Sequence, residues 1–339
     1  MIPLDELRAV RVVISHGYPD GPCPDGLAAA MVVQDVLPKA EVRFVVHNTR
    51  EHEELRAEPH MLFVDMVPPE KRAAEFVVAG AIVLDHHKSS EHVVRLFRER
   101  GVFGDEAADP GVSGAVLAFE HVWRPLALSD EYARWTTKTG ETAVRRRIGV
   151  DRVQAFAALA GVRDTWQTND PRWRDACMQA KVLRFFPSED WLDGDPLDEN
   201  RLEARMTMLG EILMKKDAEE TKRLLASAYR FSTPAGTRVV VLPSTYVSDA
   251  ANALKTEADV VIGFNFRMGS GEVPDLRLSF RSRGSFDVAA IAKTLGGGGH
   301  TNAAGAAIPT ALEAADEHYE GPRPSRNPYT EIRRLMERF

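Results

Sequence analysis

Asp85, His86 and His87 stand together in LDHHKSS, directly after the apolar run AIVLD (81–85). His16 follows the run VRVVIS (10–15), Asp65 closes MLFVD (61–65), and Asp20 and Asp25 are carried by the loop SHGYPDGPCPDGLAAA. Asp164 comes after the amphipathic stretch VDRVQAFAALAGVR. Imidazoles and carboxylates with no required thiolate suit Mn²⁺, Mg²⁺ or Co²⁺ better than a structural zinc. The set His16, Asp20, Asp25, Asp65, His86 and Asp164 exceeds the needs of one ion, which predicts two ions about 3.5–4 Å apart sharing a carboxylate, with Asp65 in the shared position. Such a pair activates water near neutral pH and holds the oxygens of a phosphoryl group, so the expected chemistry is phosphoester hydrolysis. Of the adjacent histidines, one faces the metal and the other the substrate, with Asp85 orienting an imidazole from behind.

Residues so far apart in the chain need a framework that gathers them. VRVVIS, VRFVV (42–46), MLFVD and AIVLD alternate with helical segments such as GLAAAMVVQDVL and PPEKRAAEFVVAG. Continuous Val/Ile/Leu runs between helices predict a parallel sheet covered on both faces. Open parallel sheets bind ligands at the carboxyl ends of their strands, and three of these runs deliver Asp or His there. From 113 to 165 the pattern is mainly helical, with Asp164 expected just past a helix end signalled by Gly161.

PSEDWLDGDPLDEN (187–200) reads as an acidic surface loop, and RLEARMTMLGEILMKKDAEETKRLLASAYR as a long connecting helix. Beyond it TRVVVLP, ADVVIGFNFRM and DLRLSFRSR are strand-like, and VSDAANALKT and FDVAAIAKTLG helix-like, which makes a smaller α/β unit. The expected division is 1–190, then the acidic loop and connecting helix over 191–230, the smaller domain over 231–315, and a tail with a short helix over 316–339. In LGGGGHTNAAGAAI, Gly296 to Gly299 lack side chains where backbone could approach a phosphate, and His300 follows at once. If TNAAGAA opens a helix, its free amides add an anion-binding end. Arg277, Arg281 and Arg283 share one face of DLRLSFRSR, and Arg281 is the candidate fork for phosphate oxygens. The arginine run in AVRRRIGV (143–150) reads as solvated surface, and the aromatic residues of DTWQTNDPRWRD and VLRFFPSEDW as packing, with Trp166 held open because it lies beside Asp164.

A formal net charge of −7 over 339 residues argues against a general nucleic-acid coat and against stable duplex binding. Two cysteines cannot build a disulfide framework, the amino-terminal stretch MIPLDELRAV lacks the marks of a signal peptide, and no apolar run is long enough to span a bilayer. A cytoplasmic location without membrane contact is the expectation, with a homodimer as the candidate assembly.

With these residues in view, the chain resembles the DHH phosphoesterase superfamily. The likeness rests on His16, Asp20 and Asp25, on Asp65, on Asp85-His86-His87 and Asp164, and on Gly296 to Gly299 with His300 in a DHH-associated second domain. It implies an active site in the cleft between the two domains. It also implies a manganese-dependent phosphodiesterase acting on short RNA or other oligonucleotides, or on cyclic nucleotides or dinucleotides, in the manner of nanoRNases. Related members are exopolyphosphatase-like and pyrophosphatase-like, and a non-catalytic nucleotide sensor is a further alternative. By the resemblance His16, Asp20 and Asp65 hold one Mn²⁺, and Asp25, Asp65, His86 and Asp164 the other. His87, Arg281, Gly298, Gly299 and His300 fall to the phosphate, with His87 and Asp85 as the catalytic pair. One departure lies in the opening loop. The family sets its two loop aspartates two residues apart, whereas Asp20 and Asp25 are five apart, and Cys23 occupies the position two before Asp25. Asp20 is placed first because Mn²⁺ prefers carboxylate, with Cys23 as the alternative.

Overall fold

The computed structural model describes residues 2–18, 21–129, 150–244, 247–268, 274–284, 286–309 and 327–339. The AVRRRIGV run lies outside them except for Val150, and so does Asp20. The chain divides into two compact units, Met1–Lys215 and Lys216–Phe339.

The apolar runs of the first unit become strands: β1 (Val12–Tyr18), β3 (Glu41–Val46), β4 (Met61–Val64) and β5 (Ile82–Asp85), with the two-residue β2 (Gly21–Pro22) between the first two and a further strand, β6 (Gly101–Phe103), after the last. β1 pairs in parallel with β3 on one side and β4 on the other, and β4–β5–β6 continue in parallel. β2 folds back antiparallel on the last two residues of β1, Gly17 against Pro22 and Tyr18 against Gly21. Alternate residues feed two apolar layers. Val13, Leu62, Val64, Ile82 and Leu84 pack on the helices Pro24–Val36, Gly114–Ala118 and Val150–Asp164, while Val12, Ile14, Met61, Phe63 and Val83 pack with Phe76, Val93 and Phe97. Both faces are covered, which is why these strands read as unbroken apolar runs.

Two expectations about the helices need correction. Gly161 does not end its helix, which runs through it to Asp164. The glycine is required because a Cβ there would come within 2.1 Å of the Gly111 carbonyl oxygen. The long helix, Glu199–Ala226, stops short of residue 230, and Tyr229 and Arg230 enter a strand. The acidic segment before it is also more than a surface loop. It holds a turn of helix, Glu189–Leu192, whose Trp191 is fully buried and donates its indole N–H to the Leu183 carbonyl at 3.0 Å.

The second unit is a sheet of β7 (Tyr229–Ser232), β8 (Arg238–Leu242), β9 (Val260–Met268), β10 (Pro274–Ser282), β11 (Gly298–His300) and β12 (Ala303–Pro309), in the order β11-β12-β10-β9-β8-β7. Leu276, Leu278 and Phe280 of β10 are buried, as their alternation predicts, and the helices Val288–Thr294 and Pro328–Met336 cover their layer. TNAAGAA does not open a helix. Residues 303–309 form β12, paired antiparallel with both β10 and β11, so no helix terminus is available for an anion there. Small side chains suit this position because β11 lies close over it: a Cβ on Gly297 would meet the Gly305 carbonyl oxygen at 2.1 Å, and one on Gly299 the Ala303 carbonyl oxygen at 2.4 Å.

Candidate metal centre

The carboxyl ends of β1, β4 and β5 bring His16, Asp65 and the Asp85-His86-His87 triplet together. Asp65 is the hub. It follows β4 with φ +60, a left-handed conformation that an aspartate tolerates at a functional strand end. Its side chain is 1% exposed, with Oδ2 3.5 Å from His16 Nδ1 and Oδ1 3.3 Å from His86 Nε2 and 3.9 Å from His87 Nδ1. The backbone must leave room around it. A Cβ on Gly26 would sit 2.6 Å from the His16 carbonyl oxygen and 3.2 Å from Asp65 Oδ2, and one on Gly114 would sit 2.5 Å from Asp65 Cβ.

Asp25 reaches the same place from the first turn of the helix Pro24–Val36. It accepts from Ser113 Oγ at 2.7 Å, Gly114 N–H at 2.6 Å and Ala115 N–H at 3.1 Å, and so caps the opening of the helix Gly114–Ala118. Asp164 arrives on the last residue of its helix, with Oδ2 3.4 Å from His86 Nε2. That nitrogen thus faces Asp65, Asp164 and, at 4.0 Å, Asp25.

Asp85 works behind the histidines. Its Oδ1 accepts from the His86 N–H at 2.9 Å and pairs with His87 Nδ1 at 2.7 Å, and its Oδ2 accepts from Ser90 Oγ. His86 has a partner that the sequence reading missed: Glu106 Oε1 lies 3.2 Å from its Nδ1. A carboxylate on one ring nitrogen fixes the tautomer and aims the other nitrogen at its ligand. Glu106 sits three residues beyond β6, a strand too short to stand out as an apolar run, and recognising that strand would have placed Glu106 at the same edge.

Ligand atoms gather in overlapping sets: His16, Cys23 and Asp65; Asp25, His86 and Asp164; and Asp65 with Asp85, His86 and His87. Within each set the atoms lie within 4.8 Å of one another. His16 Nδ1 and Asp65 Oδ2 are buried and have no hydrogen-bond partner among the described residues. Buried polar atoms are rarely left so, because each costs about 1–3 kcal/mol. The charges carry the same message. Burial opposes a proton on the His16 and His86 rings, yet the surrounding carboxylates outweigh it and raise both, His86 the more. Burial and the charges of Asp65 and Asp164 push Asp25 well above the ordinary carboxylate range. Burial works against the Asp65 anion, but His16, His86 and His87 overcome it and hold that carboxylate ionised. Orphaned donors facing one another, within concentrated negative charge, fit divalent cations of the kind the donor types select.

The second unit carries the remaining candidates. Arg281 is half-buried on β10, donating Nε–H to Ser248 Oγ at 3.0 Å and an η N–H to the Phe280 carbonyl at 2.8 Å. Arg277 shares its face, while Arg283 lies beyond the strand end. The glycine row divides by role. Gly296, at φ +75, ends the helix Val288–Thr294, and Gly297 and Gly299 permit the close pairing of β11. Gly298 alone of the four has neither a positive φ nor any atom within 4 Å of where a Cβ would stand. His300 is the last residue of β11, opposite Ala303. Trp166, held open by the sequence, has φ +59, with the Arg163 guanidinium 4.1 Å from its ring centre and Trp173 against its edge.

Residues 241–320 match the DHHA1 domain. No curated protein matches the sequence. Among solved structures the chain is similar to a DHH-domain protein described as a member of a family of ribosomal proteins, with TM-score 0.52 and 12% identity over 89% of this chain and 84% of that one. Looser likenesses are to PggH, a pGpG-specific phosphodiesterase from a Vibrio, with TM-score 0.41 and 13% identity over 89% and 94% of the two chains, and to an exopolyphosphatase-related protein from Bacteroides fragilis, with TM-score 0.39 and 9% identity over 98% and 93%. The first of these supports the fold.

Proposed function

We propose that the chain, which carries a match to the DHHA1 domain, is a DHH-superfamily, divalent-metal-dependent phosphodiesterase acting on short oligonucleotides or dinucleotides, cyclic forms included. The observation that carries the reading is the position of Asp65, whose two carboxylate oxygens face His16 on one side and His86 on the other within a buried site. His16 and Asp65, with Asp20 or Cys23, would hold one cation, and Asp25, Asp65, His86 and Asp164 would hold the second; Mn²⁺ would suit the imidazole and carboxylate donors. When bound, such a pair supplies Lewis acidity toward phosphoryl oxygens and a lowered pKa for attacking water.

The chain's own groups do the rest. Asp65, held ionised by its histidines, is available to two cations at once. Ser113 and the two amides at Asp25 fix that carboxylate before any ligand arrives, so no ordering is left for the binding step. Asp85 grips Nδ1 of His87, and Nε2 is assigned as the donor to a phosphoryl or departing oxygen. In the metal-free chain the carboxylates around His87 raise its pKa above the ordinary value against the effect of burial. Arg281 and His300 are assigned to the phosphate, together with the backbone at Gly298 and Gly299. For Gly298 the support is physical: the fold leaves space for a side chain there, so its bareness answers to a ligand.

Incubation with Mn²⁺ and a panel of dinucleotides, longer RNA, cyclic nucleotides, polyphosphate and pyrophosphate, with products identified, tests the reading. Mononucleotide from the short substrates is the expected product. Orthophosphate from polyphosphate or pyrophosphate, with the nucleotides untouched, would contradict it.

A further inference from the structure

Cys23 is held rigidly where the first donor set meets. Its N–H donates to the His16 carbonyl at 3.1 Å and its carbonyl accepts from the Leu27 N–H at 2.7 Å, which pins the residue between β1 and the helix that begins at Pro24. Only 3% of it is exposed. Its sulfur lies within 4.8 Å of a ring nitrogen of His16 and a carboxylate oxygen of Asp65. Independently of the thiol, His16 Nδ1 and Asp65 Oδ2 face one another at 3.5 Å, buried and without a hydrogen-bond partner among the described residues. A cation that satisfied those two atoms would have the Cys23 sulfur as the third donor of the set among the described residues.

We propose that Cys23 binds this cation as a thiolate, and that the first site therefore prefers thiophilic or borderline divalent ions such as Cd²⁺, Zn²⁺ and Co²⁺ over Mg²⁺. Coordination replaces the S–H bond by a sulfur–metal bond and releases the proton to solvent, with no change of oxidation state. The proposal departs from the sequence expectation, which put Asp20 first, and it deepens the two-cation reading of the site on which it rests. Softer selectivity at one site beside a hard His/carboxylate set at the other gives the two cations different chemistry.

The chain has two cysteines, so replacing the second isolates the first. Metal-stripped, reduced full-length protein carrying Cys177→Ser is titrated with Cd²⁺ or Co²⁺, and the sulfur-to-metal charge-transfer absorption is followed in the ultraviolet. A saturable band, reaching one equivalent of sulfur ligation, is expected. Its absence overturns the proposal. Cys23→Ser in the wild-type background should abolish the band, and a band of undiminished intensity there equally overturns the proposal. Should the serine variant misfold by circular dichroism, Cys23→Asp replaces it. That variant is expected to keep metal binding by calorimetry, to lose the band, and to bind Cd²⁺ more weakly than the cysteine form, because soft cations prefer sulfur to carboxylate. Failure of the phosphodiesterase reading looks different: the band is present and no nucleotide is turned over.

Discussion

His86 is held from both sides of its ring, and the two sides have different consequences when altered. Glu106→Gln keeps the size of the side chain and removes the charge opposite Nδ1, so Nε2 becomes a poorer donor. Metal affinity measured by calorimetry is expected to fall about 10–100-fold with the melting temperature of the metal-free chain little changed; unchanged affinity would deny Glu106 its positioning role. Gly26 offers a test from the backbone. A methyl group at Gly26 must displace the His16 carbonyl and the Ser15 hydroxyl and crowds the Asp65 carboxylate, so Gly26→Ala should cost about 1–3 kcal/mol in urea unfolding and weaken metal binding as well. The Asp-His-His triplet, His16 and Asp65 were legible as neighbours at one sheet edge because each ends or follows an apolar run. Glu106 was not, because the strand before it is too short to stand out as an apolar run, and Ser113 was not, since nothing in its local sequence marks what it touches across the fold.

Among the elements, the parallel sheet was readable because burial on both faces writes itself as uninterrupted Val, Ile and Leu. The failures have one physical source: small residues carry weak local preference, and tertiary contact decides their state. Gly161 reads as a helix end and lies inside a helix because another backbone crosses it there. Residues 303–309 read as a helix start, yet they pair as β12 because β10 and β11 supply ladders on both sides. The glycine row gives a prediction at this scale. Gly297→Ala is expected to destabilise the second unit by about 1–3 kcal/mol, because the methyl group meets the backbone of β12. Gly298→Ala should leave stability within about 0.5 kcal/mol of wild type and raise KM for the nucleotide substrate. Equal loss of stability in both variants would refute the division of roles.

For the whole molecule, the clustered carboxylates and rings make folding stability, metal loading and pH one linked equilibrium. In the metal-free chain the His16 and His86 rings hold protons above their ordinary value of 6.5. Their pairing therefore contributes fully below that value and is lost as the pH climbs through the raised one. Asp25, whose pKa burial and the neighbouring carboxylates raise, acts with the same sign. The melting temperature of the metal-free protein is expected to fall from pH 6.5 upward, whereas the stabilisation given by Mn²⁺ grows over the same range as bound protons stop competing. Among the described residues no helix is long and apolar enough to cross a membrane.

The central claim is that Asp65 joins two cation sites. Metal content of wild-type and Asp65→Ala protein, loaded with Mn²⁺, freed of excess and analysed per chain, tests it most directly. The account predicts close to two ions per wild-type chain and the loss of both, with activity, in Asp65→Ala. A single ion in the wild type, or two ions and full turnover in the variant, would contradict it.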